Sequence, residues 1–301
     1  MQILLNGLCN GMVIALLAIA YTIVYLPTKV FFIALAGVYV GCAYLTWQML
    51  MKGVPVSVAV IVSILVGAGV SILCELFNHR ALVKQKASDG AHMISSLGIY
   101  MIMIQAIALI WGNEPKILKT GIEETYHWLG FTMASSQIID FCGAAIAIGA
   151  FFIWLKHSNL GLLFRGLADN PIQMALLGYD TNKLRLVSFG LSGALAGLAG
   201  ILSAYDLGFD PYVGMNAVLL AVIATIIGGK TNFIGPLIGG LILGILRAEV
   251  VWFYSARWQD AITFVILAVF LFLKPNGIFA KSGKKFAEKR QSGNFSRFRL
   301  P

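Results

Sequence analysis

Ionisable side chains inside apolar stretches are where a membrane-embedded chemistry would reside, and this sequence places few there. Glu75, Asp140, Arg247 and Glu249 fall within hydrophobic runs. Such residues are expensive in lipid and mark proton relays, ion sites or counter-ions. Glu75 and Asp140 stand near the ends of their runs, where a carboxylate reaches the interface. Arg247 and Glu249 are two residues apart, on different sides of a helix, so they are not expected to pair with each other. His79, His92, His127 and His157 lie in or beside loops, and none is spaced from another as metal ligands are. Cys9, Cys42, Cys74 and Cys142 stand singly, without the C-x-x-C spacing of zinc or redox sites. One motif imitates a nucleotide site: Ala224-Thr-Ile-Ile-Gly228-Gly229-Lys230-Thr231 approximates a phosphate-binding loop. That loop works when it follows a strand and opens a helix in a soluble fold. Here it follows an apolar run, so no ATP chemistry is expected of this chain.

Composition sets the elements that must hold these residues. Of 301 residues, 59% are hydrophobic and 12% charged, against about 45–50% and 25% in soluble domains. Mean hydropathy is +0.85. Apolar runs occur at about 3–26, 30–51, 54–77, 93–112, 134–155, 184–205, 213–229, 233–253 and 258–273. A membrane helix takes roughly 20 apolar residues. The glycine-rich runs from 213 to 253 admit one that is re-entrant or broken, so eight or nine spans are expected. Lipid-exposed backbone must bond within its own segment, which makes them helices. The short alternating segments of a β-barrel are absent. The fold class is therefore an all-α polytopic membrane protein, with a membrane domain over 1–280 and a basic tail over 281–301. Met1-Gln2 leads straight into the first run without a charged n-region, so that run is expected to be retained as a span.

The net charge of +9 is unevenly placed. Lys281, Lys284, Lys285, Lys289, Arg290, Arg297 and Arg299 crowd the tail against one acid, Glu288. If each run crosses once, these seven share a face with Lys29, Arg80, Lys84, Lys86, Lys156, Arg165, Lys183, Arg185, Lys230 and Lys274. The other face receives Lys52, Lys116, Lys119 and Arg257. The positive-inside rule then puts the C-terminus in the cytoplasm and the N-terminus outside. A tail of this kind belongs beside an anionic membrane surface, and nucleic acid is not an expected partner.

Two polar loops are long enough to have a task. The outer one, about 113–133, carries Glu114, Glu123, Glu124, Tyr126 and Trp128. The inner one, 156–183, places Leu160, Leu163, Leu167, Met174 and Leu177 at near-helical spacing. Asn170-Pro171 can open a helix, with Pro in its first turn, and Gly178 is placed to close it. Two short cytoplasmic helices in a V are expected, forming a docking surface. Glycines mark the later runs: Gly193 and Gly197, then Gly228, Gly229, Gly235, Gly239, Gly240 and Gly244, several of them four apart. Small residues at that period let helix backbones approach closely, as tight packing or as thin helices lining a path.

These features together resemble the branched-chain amino acid permease subunits of bacterial ABC importers, along nearly the whole chain to about residue 280. The similarity is carried by Asn6-Gly7-Leu8-x-x-Gly11, Ala18-x-Ala20-Tyr21-Thr22-Ile23-Val24-Tyr25, Tyr39-Val40-Gly41-Cys42-Ala43-Tyr44 and Ile94-Ser95-Ser96-Leu97-Gly98-Ile99 with Gln105 and Trp111-Gly112. It continues through Gly161, Arg165, Ala168, Asn170, Ala175 and Gly178 to Gly228-Gly229, Gly235-Pro236, Gly239-Gly240 and Lys274-Pro275-x-Gly277. The resemblance implies a permease with no ATPase site of its own, in the bacterial inner membrane. It would pair with a second permease subunit, two cytoplasmic ATPase subunits that bind the ATP, and an extracytoplasmic binding protein that delivers a small solute. Arg165, Ala168, Asp169, Asn170 and Gly178 would then contact the ATPase. Leu35, Ser95, Ser96 and Gln105 are candidates for the substrate path, and the outer loop would meet the binding protein.

The sequence departs from the family at one motif. Where the family carries an Asn and a His-Gly pair, this chain has Phe32, Leu35 and Ala36, and Thr231 stands in place of a third glycine. Amides, urea or other small polar solutes are therefore alternatives to leucine, isoleucine and valine. The rival reading is an ion-coupled secondary transporter with inverted repeats, which would need a coupling-ion site within the chain.

Overall fold

A computed structural model describes residues 2–118, 125–128, 131–229, 232–274 and 277–278, with side chains for all of these except 127, 128, 131, 171 and 172. Lys119, Glu123, Glu124, Lys230, Thr231 and the tail 281–301 lie outside the described residues. The helices are α1 (Gln2–Thr28), α2 (Leu35–Met51), α3 (Val56–Cys74), α4 (Arg80–Lys84), α5 (Asp89–Trp111), α6 (Ser135–His157), α7 (Asn159–Asp169), α8 (Pro171–Leu176), α9 (Thr181–Leu207), α10 (Val213–Gly228), α11 (Ile234–Phe253) and α12 (Gln259–Leu273). Between α3 and α4, Glu75–His79 winds as a π-turn, so the two helices form one rod from Val56 to Lys84.

Seven of these rods are long and apolar enough to cross a membrane, the last of them counted from Ala256, where a 3-10 turn (Ala256–Trp258) leads into α12, while α2 and α10 are shorter, at 17 and 16 residues. At 1.5 Å per residue the short pair reaches about 24–26 Å, just under a hydrocarbon core of roughly 30 Å. Contacts at their ends show that both traverse the molecule. Near the start of α2, Ala34 N–H donates to Ser96 Oγ at 2.9 Å, close to the start of α5. Toward the other end of α2, the Trp47 ring lies 4.4 Å from Lys116 Nζ, beyond the end of α5. For α10, Tyr212 before its start bonds Asn113, and its far end meets Ile278 through an N–H···O bond to Ile227. Nine passes therefore run through the described residues, with the first and last helices ending on the same face.

On the N-terminal face a short antiparallel hairpin, β1 (Thr125–Trp128) and β2 (Phe131–Ala134), precedes α6. Gln2 at the start of α1 bonds the backbone of Thr132 in both directions. On the same face Lys116 and Phe209 exchange two backbone hydrogen bonds of 2.8 and 2.9 Å, tying the α5 exit to the α9–α10 turn. Within the polar loop expected at 113–133, the chain thus forms a hairpin.

The core is built around α1. From Ala15 to Val24 every residue is buried, whichever way it points, as a helix apolar all round must be. α11, α9, α10 and α6 surround it. Against α11 the fit is backbone to backbone: Gly7, Gly11 and Ala15 of α1 face Ala248, Gly244 and Gly240 of α11. A Cβ on Gly244 would overlap the backbone of Gly11. At the periphery, α12 buries only 6% of its apolar window and turns its remaining surface outward.

Candidate functional site

The segment between α6 and α9 folds as the two short helices that its spacing predicts. Ser158 Oγ accepts from Leu160 N–H and starts α7. Gly161 packs against the carbonyls of Trp154 and Leu155, where a Cβ would collide, so α7 turns back tightly on the end of α6. Phe164 is buried between Trp154 and Phe233, with ring centroids 6.1 and 5.8 Å away. Asn170 Oδ1 then accepts from Gln173 N–H and caps α8, and Gly178 ends the element at φ +84°. Arg165 and Asp169 are exposed, while Ala168 and Asn170 are half-buried. A cavity of about 380 Å³ opens between α7 and the turn before α11, lined by Arg165, Ala168 and Asp169 on one side and Asn232 and Phe233 on the other.

The glycines named from the sequence sit at close backbone approaches. Gly193 of α9 faces Ser71 and the Gly67 carbonyl of α3, and Gly197 faces Cys42 of α2. Gly228 and Gly235 touch each other across the α10–α11 turn, Gly239 meets the Ala224 carbonyl, and Gly240 meets Ala15. Gly229 takes φ +109°, a conformation that favours glycine. The described part of the phosphate-loop look-alike, 224–229, is therefore the C-terminal end of α10 and its cap, not a strand.

Of the four path candidates, three gather at one level. Leu35 is fully buried, Ser96 Oγ receives the Ala34 N–H, and Ser95 Oγ donates to Asn78 Oδ1 at 2.5 Å. Gln105 stands about 14 Å further along α5 and is exposed on the surface of the chain.

The structure also assembles a polar cluster that the sequence does not announce. Glu75, expected near a span end where a carboxylate reaches the interface, is instead buried within the rod from Val56 to Lys84, and His79 and His92 meet although nothing in their spacing brings them together. Glu75 and His79, at the two ends of the π-turn, are buried at 2% and 0% exposure. Arg185 of α9 grips Glu75 with two of its three guanidinium nitrogens, Nε to Oε1 at 2.7 Å and Nη2 to Oε2 at 3.2 Å. His79 Nδ1 lies 3.2 Å from His92 Nδ1, and the His79 ring packs on Phe32 and Phe189. A π-turn, which often marks a functional position, leaves no signature in hydropathy. Asp140 does lie near a span end, in the second turn of α6, but it is 4% exposed and so does not reach the surface, with Oδ1 unpartnered. One turn away Ser136 donates to Asp206 at 2.7 Å. Arg247 pairs with Asp260 at 2.9 Å rather than with Glu249. Among the described residues no group of three His, Cys, Asp or Glu is arranged to hold a metal ion.

Seven helices long enough to span a membrane and two shorter apolar ones, with α7 and α8 packed across one end between α6 and α9, make this a polytopic helical membrane protein. The chain belongs to the family described as "Branched-chain amino acid transport system / permease component", whose model matches residues 3–271. It is 25% identical over 297 residues to the high-affinity branched-chain amino acid transport system permease protein LivH of Salmonella typhimurium, covering 93% of this chain and 96% of that one. It is 27% identical over 275 residues to the autoinducer 2 import system permease protein LsrC of Escherichia coli, covering 87% and 76% respectively. Its fold is similar to PsaBC from Streptococcus pneumoniae, solved in complex with Fab, at a TM-score of 0.50 and 13% identity over 95% of this chain and 96% of that one.

Proposed function

We propose that this chain is the pathway-forming subunit of an ABC importer in a bacterial cytoplasmic membrane, moving branched-chain amino acids or a related small polar solute inward. The observation that carries the reading is the α7–α8 element. Phe164, Leu167 and Met174 lock it to the bundle, while Arg165 and Asp169 stand exposed together with Leu160, Leu162, Leu176 and Leu177. A connector needs about 4–6 residues; two capped helices holding charges clear of the membrane helices suit a surface onto which a separate ATPase docks. The excess of Lys and Arg on this face supports a cytoplasmic orientation for it, with the N-terminus outside. ATP is bound by the partner subunits. A second permease subunit completes the path, and a binding protein delivers solute at the opposite face, near the β1–β2 hairpin.

Phe32, Leu35 and Ala36 are buried where the resembled family carries polar or smaller residues. This keeps amides, urea and other small polar solutes within the range to be tested. The decisive experiment is co-purification in mild detergent with mass spectrometry of the retained subunits, followed by reconstitution and uptake of a labelled solute panel with and without ATP. Uptake requiring ATP and a co-purified nucleotide-binding subunit is expected. Uptake by the chain alone without ATP would replace this reading with an ion-coupled carrier.

A further inference from the structure

The Glu75–Arg185 pair ends a seam that it is not needed to hold. Along the antiparallel contact of α3 and α9, Gly67 and Ser71 lie against Gly193, close enough that a Cβ on Gly193 would overlap the Gly67 carbonyl and the Ser71 side chain. Glu75 continues the same stripe one turn beyond Ser71, and Arg185 lies two turns before Gly193. The helices are thus joined by backbone contact over the seam and by a charged, two-bonded grip at its end. Buried ion pairs seldom add net stability over an apolar pair of similar size, so adhesion alone is a weak account of this one.

Its connections are more informative. Leu163 and Leu167 of α7, Met174 of α8 and Leu184 of α9 form their own apolar cluster. Asp180 Oδ1 accepts from the N–H groups of Asn182 and Lys183, fixing the start of α9. The α7–α8 element and the first turn of α9 are therefore one piece, and Arg185 is the next residue after Leu184. On the other side of the grip, Glu75 begins the π-turn that ends at His79. The His79 ring leans on Phe32, in the bend between α1 and α2, and on His92 of α5. Ser96, one turn beyond His92, holds the Ala34 N–H ahead of α2. A continuous set of contacts thus runs from α7–α8 through Arg185 and Glu75 into α3, α5 and α2.

We propose that the Glu75–Arg185 pair is the joint that passes displacement of the α7–α8 element to the membrane helices, with both residues acting as positioning residues for transport. The proposal rests on the importer reading above. The full importer, purified with its ATPase and binding protein, would carry Glu75→Gln, Arg185→Gln, the exchange Glu75→Arg with Arg185→Glu, and the apolar pair Glu75→Leu with Arg185→Met. Solute uptake, ATP hydrolysis and the amount of co-purified ATPase would be measured on each.

Each single neutralisation is expected to cut uptake per ATP hydrolysed by about tenfold, with ATPase recovery unchanged. The exchange should restore part of that coupling, and the apolar pair should assemble normally yet stay uncoupled. The joint is overturned if the apolar pair transports as well as the unaltered chain, or if uptake falls only in proportion to assembled complex. Failure of the unaltered chain to bind an ATPase or require ATP would overturn the importer reading instead, so the two failures are separable.

Discussion

Gly244 of α11 rests directly on the backbone of Gly11 in α1, so the innermost pair of helices meets main chain to main chain. Gly244→Ala pushes a methyl into Gly11, and an overpacked core of this kind costs about 1–3 kcal/mol. Gly69→Ala is the control, because a Cβ there meets nothing within 4 Å. Thermal unfolding in mild detergent is expected to show a clear loss for the first and none for the second. Equal behaviour of the two would mean that α1 and α11 do not pack at this register.

Thr22 and Thr225 join α1 to α10 through hydroxyls 3.1 Å apart, each also within bonding reach of the carbonyl four residues earlier in its own helix, so that one hydroxyl donates across the contact while the other donates within its helix. Each hydroxyl keeps a partner when the other is removed. A double-mutant cycle with Thr22→Val and Thr225→Val should therefore yield a small coupling of about 0.6 kcal/mol, typical of interhelical bonds in membranes. Denaturation in mixed micelles reads it directly.

Asn170 caps α8 through Gln173, and loss of such a cap costs about 1 kcal/mol. Asn170→Ala is expected to loosen α8, lower uptake and leave insertion of the nine passes intact, while Asn170→Asp retains both cap and uptake. Arg165→Glu, at an exposed position, should weaken ATPase retention without moving the unfolding temperature. Unchanged retention in Arg165→Glu would place the docking surface elsewhere.

Lys52 and Lys183 are exposed at opposite ends of the bundle. With native cysteines removed, Lys52→Cys should react with an impermeant maleimide added to intact cells. Lys183→Cys should react only after the membrane is opened. The reverse pattern would invert the orientation drawn from the distribution of Lys and Arg.

Much of the architecture was readable from residue order. The apolar runs mark the passes, and Asn170-Pro171 and Gly178 bracket α8 because capping and left-handed backbone are local chemistry. The buried cluster was not readable for the opposite reason. Glu75 and Arg185 are 110 residues apart, and only the close α3–α9 seam brings them together. His79 looked like a loop residue because it precedes Arg80 and Lys84, yet the π-turn carries it inward. The β1–β2 hairpin is hard to read from residue order because its strands are only four residues long, so the alternation of Tyr126 with Trp128 and of Phe131 with Met133 ends almost as soon as it starts. Gln105, by contrast, is visible in the sequence as a polar residue amid apolar ones, and the structure leaves it on the outer surface of α5.

The paired backbone bonds between Lys116 and Phe209 pin one end of α9 to the exit of α5. A rod held at one end moves by tilting, and its travel grows with distance from the pin. Arg185 lies about 35 Å from Phe209 along α9, so a tilt of ~5° carries it ~3 Å while Leu207 scarcely moves. Leverage of this kind places the largest stroke beside the docked helices and the smallest beside the hairpin. Any such tilt would part the bundle as a wedge from one side instead of evenly along its length.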